Sequence, residues 1–175
     1  MADIRPEVID AFQFQGTYIE GIPYGSGHIN DTFRVTFEEN GIPRRYILQR
    51  MNKTIFLNPE ELMENVTGVT QWLRKKILEK GGNPDRETLN LVPTKEGKNF
   101  FVDQAGDYWR AYIFIEGAAT YDLVQNKEDF YQSAVAFGHF QGLLADYPAK
   151  TLHETIVNFH NTVDRFAKFK KAVEE

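Results

Sequence analysis

Cysteine is absent from the 175 residues. Without it there is no disulfide framework, no zinc–thiolate site and no thiol nucleophile. A run of about 18 apolar residues is missing too, so nothing in the sequence reads as a membrane-spanning helix. The opening residues, Met1-Ala2-Asp3-Ile4-Arg5-Pro6, contain no apolar signal core. We therefore expect a cytoplasmic protein with no membrane partner. There is also no block of basic residues. Twenty Lys and Arg stand against 25 Asp and Glu, a net charge of −5, which argues against a nucleic-acid partner. Internal repeats and low-complexity tracts are lacking. What the sequence does have is 42% apolar and 14% aromatic residues, enough for a packed core.

The pattern predicts a short helix from Pro6 to Phe14, then strands from Tyr18 to Tyr24 and from Ile29 to Phe37. Phe33, Val35 and Phe37 alternate with Arg34 and Thr36, the period of a half-buried strand. Glu39-Asn40-Gly41 supplies a hairpin turn into a third strand, Arg45 to Met51. Tyr46, Leu48 and Arg50 share one face of that strand, and Ile47, Gln49 and Met51 the other. A long helix is predicted from Pro59 to about Lys80. Asn58 is its N-cap, Pro59 suits its first position, and Gly81-Gly82 ends it. Leu62, Val66, Val69, Leu73 and Ile77 form its apolar stripe. Leu89 to Pro93, Phe100 to Asp103 and Tyr108 to Ile115 read as further strands. This order predicts an α+β fold: an antiparallel five-stranded sheet with the long helix packed against it.

After Gly117 the chain reads as helix only. Asn126 caps a helix from Lys127 to Asp146, and another starts near Thr162. Phe130, Tyr131, Phe137, Phe140, Leu143 and Leu144 go most of the way round the first of these. Such a helix belongs deep inside a body, and little sequence remains here to surround it. We therefore divide the chain into residues 1–116, a sheet-containing lobe, and residues 117–175, the opening helices of an incomplete second lobe.

One stretch carries possible chemistry. Tyr24-Gly25-Ser26-Gly27-His28-Ile29-Asn30 lies between the first two strands. Paired glycines let backbone amides approach a phosphate closely, although a plain hairpin turn uses the same residues.

A glycine turn between two strands, a third strand, a long helix, two more strands and an apolar run into helices is the layout of a protein-kinase-like N-terminal lobe. The chain resembles the aminoglycoside phosphotransferase/choline kinase superfamily, and within it the N-acetylhexosamine 1-kinases. The stretches that carry the resemblance are Tyr24-Gly25-x-Gly27-His28-Ile29-Asn30, Tyr46-Ile47-Leu48-Gln49-x-Met51-Asn52, Leu62-Met63-x-Asn65-Val66, Trp109-Arg110-x-Tyr112-x-Phe114-Ile115-Glu116 and Phe137-Gly138-x-Phe140-Gln141. The resemblance implies ATP and magnesium as cofactors and an amino sugar, phosphorylated at its anomeric hydroxyl, as substrate.

Kinases of this build need an H-x-D-x-x-x-x-N-like loop for base and metal. None of His28, His139, His153 and His160 has Asp two places on. No residue here is assigned as catalytic base or metal ligand, and both are expected from a second lobe. The chain then resembles the first half of such a kinase, inactive alone. Where the third strand of a kinase offers Lys to the phosphates, this chain has Gln49. We expect an amide pair of Gln49 with Asn65 to replace the usual ion pair. Phe114, Ile115 and Glu116 are expected to hold adenine in the segment joining the lobes, the first two through backbone groups. Gly25, Ser26, Gly27, His28 and Asn30 are expected near the phosphates, with His28 able to reach phosphate or substrate. The alternative is a non-catalytic kinase-like module that binds nucleotide or protein. A sulfatase is excluded, because neither Ser26 nor Ser133 is followed by Pro two places on and Cys is absent. For the chain by itself, residues 127–175 are expected to mediate a homodimer.

Overall fold

The computed structural model describes residues 4–119 and 123–174. Residues 1–3, on which the reading of the chain's start partly rests, lie outside the described residues, as do 120–122 and 175. The described residues form an α+β structure with six strands in one antiparallel sheet and five α-helices.

Strands β1 (Thr17–Pro23), β2 (Asp31–Glu39) and β3 (Ile42–Arg50) make a meander. The β2–β3 hairpin closes on Asn40 and Gly41 as expected. Their φ values of 54° and 78° are both left-handed, which a two-residue type I′ turn requires. β6 (Tyr108–Ile113) lies beside β3. Its other edge takes β4 (Leu91–Val92) along Tyr112 and Ala111, and β5 (Phe101–Val102) along Trp109 and Tyr108. All six strand-like runs of the sequence enter the sheet, where a five-stranded sheet was expected. β4 and β5 are only two residues each because they divide one edge of β6 between them.

Alternation places Phe33, Val35, Phe37, Tyr46, Leu48, Trp109 and Ala111 on one face, none more than 6% exposed. Each large side chain among them contributes about 1.5–3 kcal/mol by leaving water. The expected cover for this core was the long helix. The cover observed is α1 (Pro6–Ala11), whose Val8, with Phe12 just beyond it, completes the cluster.

The long helix, α2 (Pro59–Glu79), follows α1 in chain order and starts as expected, with Asn58 Oδ1 accepting the Glu61 N–H. A four-residue helix, α3 (Pro84–Glu87), follows it. The stripe of α2 turns Val69, Leu73 and Ile77 toward Leu143 and Leu144 at the end of α4 (Lys127–Leu143). Trp72 Nε1 donates to the Leu143 carbonyl at 3.1 Å, and Lys76 pairs with Asp146 at 2.5 Å. α2 meets the sheet side through polar bonds. Asn99 donates to Thr67 at 3.0 Å, Arg74 to Asn90 at 2.6 Å, and the Tyr108 hydroxyl to Glu60 at 3.3 Å. α5 (Thr162–Glu174) closes the described chain. No helix among the described residues is long and apolar enough to cross a membrane.

The turn between β5 and β6 is built on a buried carboxylate. Asp103 is 5% exposed. It accepts the Trp109 indole N–H and the Ala105 and Asp107 backbone N–H groups, each at 2.9 Å, and Arg5 stands at 3.1 Å. Burial pushes the pKa of this carboxyl up. The hydrogen bonds of Trp109, Asp107 and Ala105 and the charge of Arg5 outweigh burial and hold it below the ordinary value. The folded chain thus binds fewer protons at this site than the unfolded chain, so the site adds stability above the ordinary carboxylate range. That stability is lost as pH falls from about 4 through the lowered value. Asp103→Ala is expected to cost about 2–3 kcal/mol at neutral pH by orphaning buried donors. Urea unfolding measured from neutral to acid pH should show a shallower acid loss in the variant than in the unmodified chain.

Candidate functional site

The residues that alternate with the core form the sheet's second face: Thr32, Arg34 and Thr36 on β2, Ile47 and Gln49 on β3, and Arg110 and Tyr112 on β6. Register sets Thr32, Gln49 and Arg110 directly opposite one another across three strands. Their side chains bond in the same line. Gln49 Nε2 donates to Thr32 Oγ1 at 2.9 Å, and Arg110 Nε donates to Gln49 Oε1 at 3.0 Å. Gln49 is donor at one end and acceptor at the other, which fixes the direction of its amide. In the next row stand Arg34, Ile47 and Tyr112. Arg34 is 3.9 Å from Glu20, and its Nε is buried without a partner among the described residues. Burial lowers the pKa of the half-buried Arg110 and raises that of Tyr112.

This row ends at the glycine turn, because the Tyr24 N–H donates to the Thr32 carbonyl at 2.9 Å. Gly25, Ser26, Gly27 and His28 lie exposed between β1 and β2, as expected for a hairpin tip. Gly25 has φ 84°, a left-handed backbone that only glycine adopts freely. No N–H from Gly25 to Ile29 is bonded within the described residues, so these donors are free for solvent or an anion. His28 also has no hydrogen-bond partner among them. Asn30 is placed differently: its Oδ1 accepts the Asn52 N–H at 3.0 Å and ties the foot of the turn to the end of β3.

The joining segment comes close to the turn. The Tyr24 ring stands edge-on to Phe114, with centroids 5.5 Å apart. The Phe114 N–H donates to the Arg45 carbonyl at 3.2 Å, and the Arg45 guanidinium lies 5.2 Å from the Phe114 ring centroid. Glu116 is engaged twice. Its carboxylate takes both Arg45 Nε, at 2.7 Å, and Nη2, and its carbonyl accepts from Arg86. Between them Ile115 has neither its N–H nor its C=O bonded within the described residues. The expected backbone role is therefore open at Ile115, while the Glu116 side chain is held by Arg45. A cleft of 510 Å³ lined by Tyr46, Leu91, Ile113, Phe114 and Glu116, among others, adjoins this segment. It shares no residue with the glycine turn or with the Thr32–Gln49–Arg110 row.

The expected amide pair of Gln49 with Asn65 is not formed. Asn65 instead bonds both backbone groups of one residue: its Nδ2 donates to the His153 carbonyl and its Oδ1 accepts the His153 N–H, each at 2.9 Å. His153 Nε2 also lies 2.7 Å from Glu64. Asn65 is thus a clasp that fastens the chain after α4 to α2, and Arg110 is the group that reaches Gln49. Period-two alternation shows that Gln49 and Arg110 each point away from the core. It does not show which residue of β6 faces which of β3, and so it missed both Thr32 and Arg110.

A comparison with protein-family models gives no match for this chain.

The clasp generates a direct expectation. Asn65→Ala should cost about 1–3 kcal/mol, because two backbone groups lose their partner. Urea unfolding of the variant checks this, and an unchanged unfolding midpoint would show that the clasp adds no stability.

Proposed function

We propose that this chain is the ATP-binding portion of a sugar kinase of the aminoglycoside phosphotransferase/choline kinase type, acting on the anomeric hydroxyl of an N-acetylhexosamine. One observation carries the reading. The sheet face opposite the core bears a polar row that ends in a guanidinium. The glycine turn with free amides lies at the end of that row, and the joining segment, with free backbone groups at Ile115, meets the turn where Tyr24 touches Phe114. Those features suit the three parts of a nucleoside triphosphate. Free amides in a tight turn attract phosphate oxygens, a cation offsets their charge, and an exposed N–H and C=O hold an adenine edge. The sugar rests on the sequence resemblance alone. Catalytic base and magnesium ligands are taken from a second, helical lobe.

The state of residues 127–175 supports that division. In α4, Phe130 and Phe137 are each 68% exposed and Phe140 is 44% exposed; in α5, Phe166 and Phe169 are 56% and 62% exposed. An apolar surface of this kind marks an association site. In the reading it belongs against the second lobe. For the 175-residue chain alone the substitute is a homodimer through residues 127–175, each copy covering the other.

Calorimetric titration of the chain with ATP and magnesium tests the binding claim: saturable binding is expected, and no binding at millimolar ATP would contradict it. A coupled assay with N-acetylglucosamine and N-acetylgalactosamine should show no turnover, and formation of a sugar 1-phosphate would refute the assignment of the chemistry to another lobe. In light scattering, the mass should rise above 20.2 kDa with concentration, and Phe137→Asp should hold it at the monomer value. A mass that stays constant across the dilution series would refute self-association.

A further inference from the structure

The sheet's second face holds a cation whose charge nothing among the described residues neutralises. Arg110 is half-buried, and burial works against its charged form. Guanidinium groups are rarely left in this state, because removing a charge from water is unfavourable unless a partner offsets it. The other arginines of the sheet each have a carboxylate within 4 Å, Arg34 the most distant of them at 3.9 Å from Glu20. Arg45 is paired with Glu116, Arg44 with Glu39, and Arg50 with Asp31 and Asp107. Arg110 forms no ion pair with any carboxylate of the described residues. Its one hydrogen bond among the described residues uses Nε, to the neutral Gln49, which leaves Nη1 and Nη2 for something else. That bond also fixes the direction of the guanidinium, since Gln49 is itself held by Thr32.

The position is as informative as the missing partner. Arg110 lies in the row that runs through Gln49 and Thr32 to Tyr24 at the start of the glycine turn. Gln49 stands where a kinase presents its phosphate-binding lysine on the third strand. A neutral amide cannot offset phosphate charge. It can orient a cation one strand further on, and Arg110 is that cation. A guanidinium with two free nitrogens also matches the geometry of phosphate oxygens.

We propose that Arg110, aligned by Gln49 and Thr32, binds the phosphate chain of the nucleoside triphosphate and supplies the positive charge that the third strand lacks. This rests on the nucleotide reading above. The ligand class is a polyphosphate on a nucleoside, and Gln49 is a positioning residue.

The test compares ATP with adenosine, so that the two claims separate. The unmodified chain should bind ATP more tightly than adenosine. Arg110→Met should lose roughly 10- to 100-fold in ATP affinity, the range of one charge-assisted bond, and keep its adenosine affinity. Gln49→Leu, which retains the charge but removes its brace, should weaken ATP by a smaller factor and leave adenosine unchanged. An Arg110→Met variant that folds, as judged by circular dichroism, and keeps the unmodified ratio of ATP to adenosine affinity overturns the proposal. If that variant does not fold, an unchanged ratio in both Gln49→Leu and Arg110→Gln overturns it instead. Adenosine binding to the unmodified chain with no gain for ATP would sink this inference and leave the nucleotide reading standing. Binding of neither would sink both.

Discussion

Alternation along β2, β3 and β6 divides one sheet into two faces of opposite chemistry, and the rest of the structure depends on that division. Phe33, Val35, Phe37, Tyr46, Leu48, Trp109 and Ala111 point one way into a dry core. Thr32, Arg34, Gln49 and Arg110 therefore point the other way. A slip of one residue in β2 or in β6 would turn Arg34 or Arg110 into the core and expose the aromatic side chains of that strand, so the register is tightly specified. The Asn40-Gly41 turn sets the β2–β3 register. The β3–β6 pairing then brings Gln49 opposite Arg110, residues 61 apart in sequence. The polar row is thus a consequence of the hydrophobic pattern on its reverse side.

Polar side chains at the periphery divide into those that hold the fold and those left free. Asn65, Asp103, Glu116 and the Oδ1 of Asn30 are taken up by backbone, indole or arginine partners. The amides of Gly25 to Ile29, the backbone of Ile115 and the outer nitrogens of Arg110 are left without such partners. A polar group with no partner must be hydrated or meet a ligand. Arg110 lies on the row that leads to the glycine turn, and the Tyr24–Phe114 contact brings the joining segment to the same turn, which supports the proposed ligand site.

Several features were legible because they are local. The Asn40-Gly41 turn and the caps at Asn58 and Asn126 each involve residues within four positions of one another, and the structure places them as the sequence predicts. The glycine turn was legible in the same way. The less legible features are long-range. The division of one β6 edge between β4 and β5, the cover of the core by α1, and the clasp of Asn65 on His153, 88 residues away, depend on pairings that no periodicity encodes. The site divides along the same line. Gly25 and Gly27 could be placed from local pattern, and Ile115 from the kinase-like layout that the chain resembles. Arg110 could not be assigned a role until the register put it beside Gln49.

The most direct test of the central claim is an amide NMR titration of the full chain with a non-hydrolysable ATP analogue. The account predicts chemical-shift changes concentrated at Gly25 to His28, Thr32, Gln49, Arg110 and Ile115, all on one sheet face and its rim. Changes gathered instead around Gln13, Leu91 and Val92, along the cleft beside Tyr46, or on α4, would contradict it.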